Sequence, residues 1–279
     1  MQPSVSVVIP TWNRAHTIQR AIESALQQSL PVFEVLVCDD GSSDDTESAV
    51  ASIAKRDERV RWIVGERAGR PAIPRNRGFR ECRGEWVAFL DSDDEWVPGK
   101  LEVQLKAAWR FGVGAVCSNA TRVTAGGLEL GALLDWSRPR LTFGELLTVN
   151  RVVCSSCVLH RSLLAKTGGF PEGQEFKAVE DYALWLRVAA LMDFAYCRDA
   201  LVRYCDDPKT SIRSEQSIPP EMQKRLVLAA TSQWLRGAEI GAFRRIPKLV
   251  GLSLSRIRAD LTSLGRAGKR RVGLRSPPS

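Results

Sequence analysis

Short apolar runs alternate with amphipathic stretches over the first part of the chain, and the two patterns have different periods. Val5 to Pro10 (VSVVIP), Phe33 to Cys38 (FEVLVC), Val60 to Val64 (VRWIV) and Glu85 to Leu90 (EWVAFL) are rich in β-branched and aromatic residues and only weakly alternating. Runs of that kind fit strands buried on both faces. Between them, His16 to Gln28 places Ile18, Ala21, Ile22, Ala25 and Leu26 at helical spacing. Asp44 to Lys55 opens with cap-type residues ahead of Val50, Ile53 and Ala54, and Val97 to Phe111 reads as a further helix. Strand alternating with helix predicts an α/β protein with a parallel, doubly wound sheet.

Three acidic clusters fall at the ends of these elements. Asp39-Asp40 and Asp91-Ser92-Asp93-Asp94 each close a strand-like run, and Glu180-Asp181 opens a helical pattern carried by Tyr182, Trp185, Leu186, Ala189 and Met192. Ligands of open α/β sheets bind beyond the carboxyl ends of the strands, which is where the first two clusters are expected. Asp91 and Asp93 sit two apart and so share a side of an extended turn. Paired carboxylates of this sort suit a hard divalent cation, which takes one or two of them together with substrate phosphates. Asp40 can accept a hydrogen bond from a nucleobase imide or a ribose hydroxyl. In a helix's first turn an ionised carboxylate is favoured, so Glu180 or Asp181 can serve as a general base. The first two clusters also have a structural reading as helix caps.

Composition narrows the setting. The 279 residues suit one large or two small domains, and no apolar run is long enough to span a bilayer. No charged segment precedes a long apolar stretch at the start, which argues against a secretory signal. Seven cysteines without framework spacing predict reduced thiols and a cytoplasmic setting. The formal charge of +8 is concentrated at one end, because residues 214–279 hold 13 Lys and Arg against 4 Asp and Glu. We therefore divide the chain into a βαβα half over 1–115, a mixed half over 116–213 and a basic helical tail over 214–279.

The motifs together resemble the family 2 glycosyltransferases of GT-A fold, a large inverting group that includes many bacterial polysaccharide enzymes. The resemblance runs over about residues 4 to 213. It is carried by Val7-Val8-Ile9-Pro10-Thr11-Trp12-Asn13-Arg14, Val37-Cys38-Asp39-Asp40-Gly41-Ser42-Ser43-Asp44 and Arg75-Asn76-Arg77-Gly78. Phe89-Leu90-Asp91-Ser92-Asp93-Asp94, Gly168-Gly169-Phe170 and Glu180-Asp181-Tyr182-Ala183-Leu184-Trp185 follow in the family's order. The resemblance implies a Rossmann-like nucleotide-diphospho-sugar transferase fold with a mixed central sheet and a helical tail. Pro10, Thr11, Trp12 and Asn13 would line the nucleotide pocket, Trp12 against the base and Asp40 on its imide. Arg75 would approach the diphosphate, Asp91 with Ser92 would meet the ribose, and Asp93 would ligate Mn²⁺ or Mg²⁺. Asp181 would be the base, with Glu180 supporting the acceptor site.

Two departures stand out. Pro74 precedes the Arg-Asn pair and removes an amide donor, which is tolerable only in a helix's first turn. Where many members carry a histidine after Tyr-Arg, this chain reads Tyr204-Cys205-Asp206-Asp207-Pro208, so Asp207 is the nearest further metal ligand. The expected donor is a UDP-sugar, since the imide-binding Asp40 suits uracil, although thymine presents the same edge, and the expected acceptor is a glycan, a lipid-linked sugar or a small molecule.

Other features receive plainer readings. Cys154-Ser155-Ser156-Cys157 lies in the apolar run Val152 to Leu159 with no second Cys or His pair to complete a zinc site, so its thiols read as core. His16 and His160 are given no catalytic role, and Trp86, Trp109 and Trp185 read as core. In the tail, Ile246, Leu249, Val250, Leu254, Ile257, Leu261 and Leu264 recur at helical spacing among Arg245, Lys248, Arg256, Arg258 and Arg266. Such a helix can lie on an anionic membrane at the cytoplasmic face or pack on the catalytic domain. No recognition module or aromatic interleaving points to nucleic acid. Two other classes stay open at this level: a DxD phosphatase, and a non-catalytic nucleotide-sugar binder.

Overall fold

The structure, a computed structural model, describes residues 2–207, 218–238 and 245–256. Strands β1 (Val5–Thr11), β2 (Glu34–Asp39), β3 (Val60–Ile63) and β4 (Trp86–Phe89) form where the apolar runs predict them, and β1, β2 and β4 are buried along their whole length. That is why these runs alternate so little: both faces of this part of the sheet are covered. Helices α1 (Ile18–Leu26) and α2 (Thr46–Ala54) follow the first two strands. Helix α3 (Ala72–Glu81) follows β3, and α4 (Lys100–Phe111) begins after Gly99.

The second half is mixed. It comprises β5 (Glu95–Trp96), β6 (Ala115–Val123), β7 (Glu129–Ala132), β8 (Arg140–Leu141), β9 (Val158–His160) and β10 (Phe194–Cys205). Helices α5 (Phe143–Leu146), α6 (Arg161–Thr167), α7 (Glu180–Leu191) and α8 (Pro220–Gly237) complete the elements named here, and residues 245–256 are also helical. The sheet runs in the order β3-β2-β1-β4-β9-β6-β10-β5, with β7 on β6 and β8 on β10. The first four strands are mutually parallel, as strand–helix alternation predicts, but β9 enters antiparallel to both β4 and β6. The sheet is therefore mixed, as the family resemblance implied.

Alternate residues of the parallel strands feed two cores. Val8, Leu36, Val87 and Phe89 face α3, α6, α7 and α8. Val7, Ile9, Val35, Val37 and Leu90 face α1, α2 and α4. Trp185 lies at the centre of the first core, with ring centroids of Phe170 at 5.9 Å and of Phe89 and Phe194 at 6.2 Å. Trp86 is also core, but Trp109 is 57 % exposed. Helix α4 turns Lys100, Leu101, Gln104, Leu105 and Ala108 inward, so two polar residues take core positions and Trp109 falls outside the buried arc. The boundary placed at residue 213 falls outside the described residues; α8, in the proposed tail, buries Val227, Leu228 and Leu235 in the α7-side core.

Lys100 is fully buried, its Nζ 3.9 Å from the centre of the Trp96 ring and without a hydrogen-bond partner among the described residues. Burial pushes its amine down to about 7, against the attraction of Cys157, Cys197 and Cys117. An unfolded lysine binds its proton up to about pH 10.4, so between roughly pH 7 and 10 the unfolded chain holds more protons and stability rises with pH. Lys100→Met removes that contribution. We expect the variant to be the more stable protein at pH 7 and its advantage in urea midpoint to shrink as pH is raised towards 10. A constant difference across that range would show that Lys100 is not buried neutral.

Candidate active site

The carboxyl ends of β1, β2 and β4 lie along one edge, because Thr11 pairs with Asp39 and Val8 with Phe89 in register. The β1 and β2 loops lock together there. The Asp40 amide donates to the Thr11 carbonyl at 2.9 Å, and Asn13, in the left-handed region at φ 50°, donates its amide to Ser42 Oγ at 2.9 Å and accepts from the Ser43 amide at 2.8 Å. Asp39 is spent on this turn, accepting from the Gly41 amide at 3.0 Å and Ser42 Oγ at 2.6 Å.

Asp40 is turned towards the loop after β3. It accepts the Ala68 and Gly69 amides, both at 2.9 Å, and pairs with the Arg67 guanidinium. Arg67 also stacks on Trp12, 3.7 Å from the ring centre, and Trp12 is 41 % exposed. Gly41 makes this approach possible: it has φ 74°, and a Cβ there would stand 2.8 Å from the Arg67 nitrogen. Pro10 and Thr11, at the end of β1, are buried.

Beyond β4, the turn Asp91–Asp94 is held from below. Ser155 Oγ accepts the Asp91 amide at 3.0 Å and donates to Asp94, which also accepts the Cys205 amide at 2.8 Å. Buried Asp94 therefore ties β4 to the 3₁₀ turn Cys154–Ser156 and to the end of β10. Burial, with Asp93 and Asp91 close by, pushes its carboxyl well above the usual range. Ser92 is buried within the same turn. Asp93 instead faces a cavity of about 290 Å³ that it lines with Arg14, His16, Thr17, Arg20 and Asp207. Burial and the neighbouring Asp91 raise Asp93 as well, and Arg14 at 3.7 Å opposes the shift. No group of three or more His, Cys, Asp or Glu is placed to enclose a metal among the described residues.

The third cluster is brought to the second by Arg75. Pro74 is the third residue of α3 and so lies in its first turn, where an amide has no helical acceptor to lose. The next residue, buried Arg75, places Nη2 2.6 Å from Asp91 and Nη1 2.7 Å from Glu180. Burial works against its charge, but Asp91, Cys154 and Glu180 outweigh it and hold the guanidinium firmly protonated. Glu180 is raised by burial and by Asp181, with Arg75 opposing. Asn76 secures the approach to α7 by donating to the Phe170 carbonyl at 2.8 Å and accepting its amide at 2.9 Å. Gly169 permits this, since a Cβ there would meet Asn76 Oδ1 at 2.6 Å.

Asp181 accepts the Tyr182 amide at 2.6 Å, with Asn150 Nδ2 3.4 Å from its other oxygen. The Tyr182 hydroxyl donates to the Leu146 carbonyl at 2.5 Å, which fixes α5 against α7. Sequence reasoning missed Arg67, Ser155 and Asn150. Ser155 stands inside the Cys154–Cys157 segment, where the cysteines drew the reading. The segment forms a 3₁₀ turn before β9 rather than a continuous strand, and both its thiols are free and buried.

The chain is similar to known proteins in sequence and in fold. The family model described as Glycosyl transferase family 2 matches residues 6–168. UDP-Glc:alpha-D-GlcNAc-diphosphoundecaprenol beta-1,3-glucosyltransferase WfgD of Escherichia coli is 34 % identical over 184 residues, 66 % of this chain and 69 % of that protein. A Campylobacter jejuni relative, GalNAc(5)-diNAcBac-PP-undecaprenol beta-1,3-glucosyltransferase, is 37 % identical over 38 % of this chain and 35 % of its own length. Among solved structures, S. aureus TarS 1-349 in complex with UDP-GlcNAc superposes with a TM-score of 0.71 at 20 % identity, over 90 % of this chain and 72 % of that one. Mannosyltransferase PcManGT from Pyrobaculum calidifontis, in complex with GDP-Man and Mn2+, gives 0.65 at 21 % identity, over 100 % and 77 %. With the motifs, the sheet order and the family match in agreement, the chain is a glycosyltransferase of GT-A fold and belongs to family 2.

Proposed function

We propose that the chain moves a sugar from a nucleoside-diphosphate sugar, a UDP-sugar by preference, to a hydroxyl of a lipid-linked glycan, with inversion at the anomeric carbon and Asp181 as the base. The observation that carries the proposal is the Asp91–Arg75–Glu180 bridge. One guanidinium spans the two acidic clusters, so the turn expected to meet the donor and the helix start expected to meet the acceptor stand side by side. The Escherichia coli relatives are named for UDP-Glc and for an alpha-D-GlcNAc-diphosphoundecaprenol acceptor, and that is the chemistry we carry over.

A divalent cation fits the residues. Asp93 and Asp207 offer two oxygen ligands in one cavity, a number that suits Mg²⁺ or Mn²⁺, which fill the rest of their sphere with water and phosphate oxygens. Burial raises the carboxyls of Asp93 and Asp94, and the neighbouring Asp91 adds to both shifts. When bound, such an ion neutralises the charge that develops on a leaving diphosphate.

The chain's own groups divide the remaining work. Trp12 supplies the exposed ring on which the base stacks, and an imide reaches Asp40 by replacing the Arg67 guanidinium that now covers that ring. Arg75 acts as a positioning residue, holding Asp91 and Glu180 rather than touching the phosphates. Asp181 accepts the proton of the attacking hydroxyl, held by the Tyr182 amide and Asn150. A weakly basic carboxylate suffices because the alcohol becomes acidic as its bond to carbon forms.

Titration calorimetry with UDP, dTDP and GDP, with and without Mn²⁺, tests the donor assignment, and UDP with Mn²⁺ should bind most tightly. Asp93→Ala should lose the Mn²⁺-dependent part of UDP binding and keep the rest; tight Mn²⁺-dependent binding by this variant would remove Asp93 as the ligand. Asp181→Asn should retain UDP binding while sugar transfer falls by about 10²–10⁴-fold. Near-normal turnover by that variant would end the case for Asp181 as base.

A further inference from the structure

The helix over residues 245–256 has two apolar faces, and one of them is open. Leu252 is fully buried, Leu249 packs on the α7-side core, and a Cβ on Gly251 would stand 3.2 Å from Leu147, so this side is seated on the catalytic domain. Ile246, Val250 and Leu254 recur every fourth residue and are 59 %, 53 % and 55 % exposed. Residues so spaced form one stripe on a helix. The helix is held at its start by Arg245, which donates to the Ala238 carbonyl at 2.7 Å. Lys248 lies 6.0 Å from the Phe143 ring of α5.

We infer that this stripe is a docking surface for an anionic lipid membrane, and that it presents the acceptor side of the site to that membrane. Charge selects the occupant. The stripe belongs to a segment with 13 Lys and Arg against 4 Asp and Glu, which an anionic surface attracts and a second copy of the same segment repels. An amphipathic helix lying in the headgroup plane needs apolar side chains free to enter it, with basic residues beside them. Arg256 stands exposed at the end of this helix.

Position links the surface to the chemistry. The helix leans on Leu147, and α8 reaches the same segment where Lys224 Nζ donates to the Thr148 carbonyl at 2.7 Å. Val149, 47 % exposed, stands next in the chain. Asn150 then touches Asp181, and Leu146 accepts from Tyr182, so the seat of the helix and the proposed base share one short stretch of chain. The inference rests on the lipid-linked acceptor proposed above: an acceptor anchored in a bilayer requires the base to be held at the bilayer surface.

The test is co-sedimentation of the full chain with vesicles of phosphatidylglycerol and phosphatidylethanolamine in equal parts, against vesicles of phosphatidylcholine alone. The full chain should pellet with the anionic vesicles and be released by high salt. The combined variant Ile246→Ser, Val250→Ser, Leu254→Ser should lose about tenfold or more in partitioning while binding UDP as before. Absence of pelleting overturns the inference, and so does pelleting that the variant leaves unchanged, which would assign retention to charge or to residues outside the stripe. A chain that sediments as a dimer, and as a monomer once the stripe is polar, would make the stripe a self-association surface instead. The UDP titration keeps the two proposals apart: failure of the native chain to bind nucleoside diphosphates counts against the proposed site, whereas failure to pellet with UDP binding intact counts against the membrane surface alone.

Discussion

Arg75 is the interaction on which the arrangement of the acidic groups depends. It is buried with a carboxylate at either end of its guanidinium, Asp91 at 2.6 Å and Glu180 at 2.7 Å, and those two residues come from distant parts of the chain. Without the cation, Asp91 and buried Glu180 would face one another as uncompensated charges in a low-dielectric setting, at a cost of several kcal/mol. The bridge thus imposes a distance as well as supplying an attraction: it fixes the β4 turn and the first turn of α7 at the span of one guanidinium. Only arginine offers a planar fork that serves two carboxylates at once. Pro74 fits the same purpose, since its locked φ shapes the helix start that aims the next side chain.

Much of this was legible in the sequence, and what was not has identifiable physical causes. The buried strands announced themselves because burial on both faces leaves a short continuous apolar run, and the clusters at their ends followed from where such sheets bind ligands. Trp109 was misread because periodicity assumes that buried positions are apolar, whereas α4 buries Lys100 and Gln104 and so shifts its inner face away from the tryptophan. The sheet's antiparallel insertion could not be read from alternation, since β9 is a three-residue strand that follows a 3₁₀ turn. Ser155 was hidden for a different reason. Its role is to satisfy Asp91 and Asp94 from 61 and more residues away, and a hydroxyl chosen to pair with a distant carboxylate leaves no local pattern.

The same limit applies to the base-facing end of the site, where the residue types were read but their present partners were not. Asp40 carries the carboxylate expected there, yet its oxygens hold the Ala68 and Gly69 amides and Arg67. A carboxylate that accepts several hydrogen bonds is already well satisfied, so a nucleobase gains little from it unless one donor leaves. Of the three donors, the two amides belong to a backbone packed against Gly41, and the guanidinium belongs to a side chain with an exposed edge. Displacement of Arg67 is therefore the low-cost route: a planar cation on Trp12 gives way to a planar base on the same ring, and the imide donor takes over the vacated place on Asp40. On the proposed reading, the loop after β3 is then set for the nucleotide before it arrives, and the sequence of that loop, which carries no recognisable motif of its own, helps to decide which base is accepted.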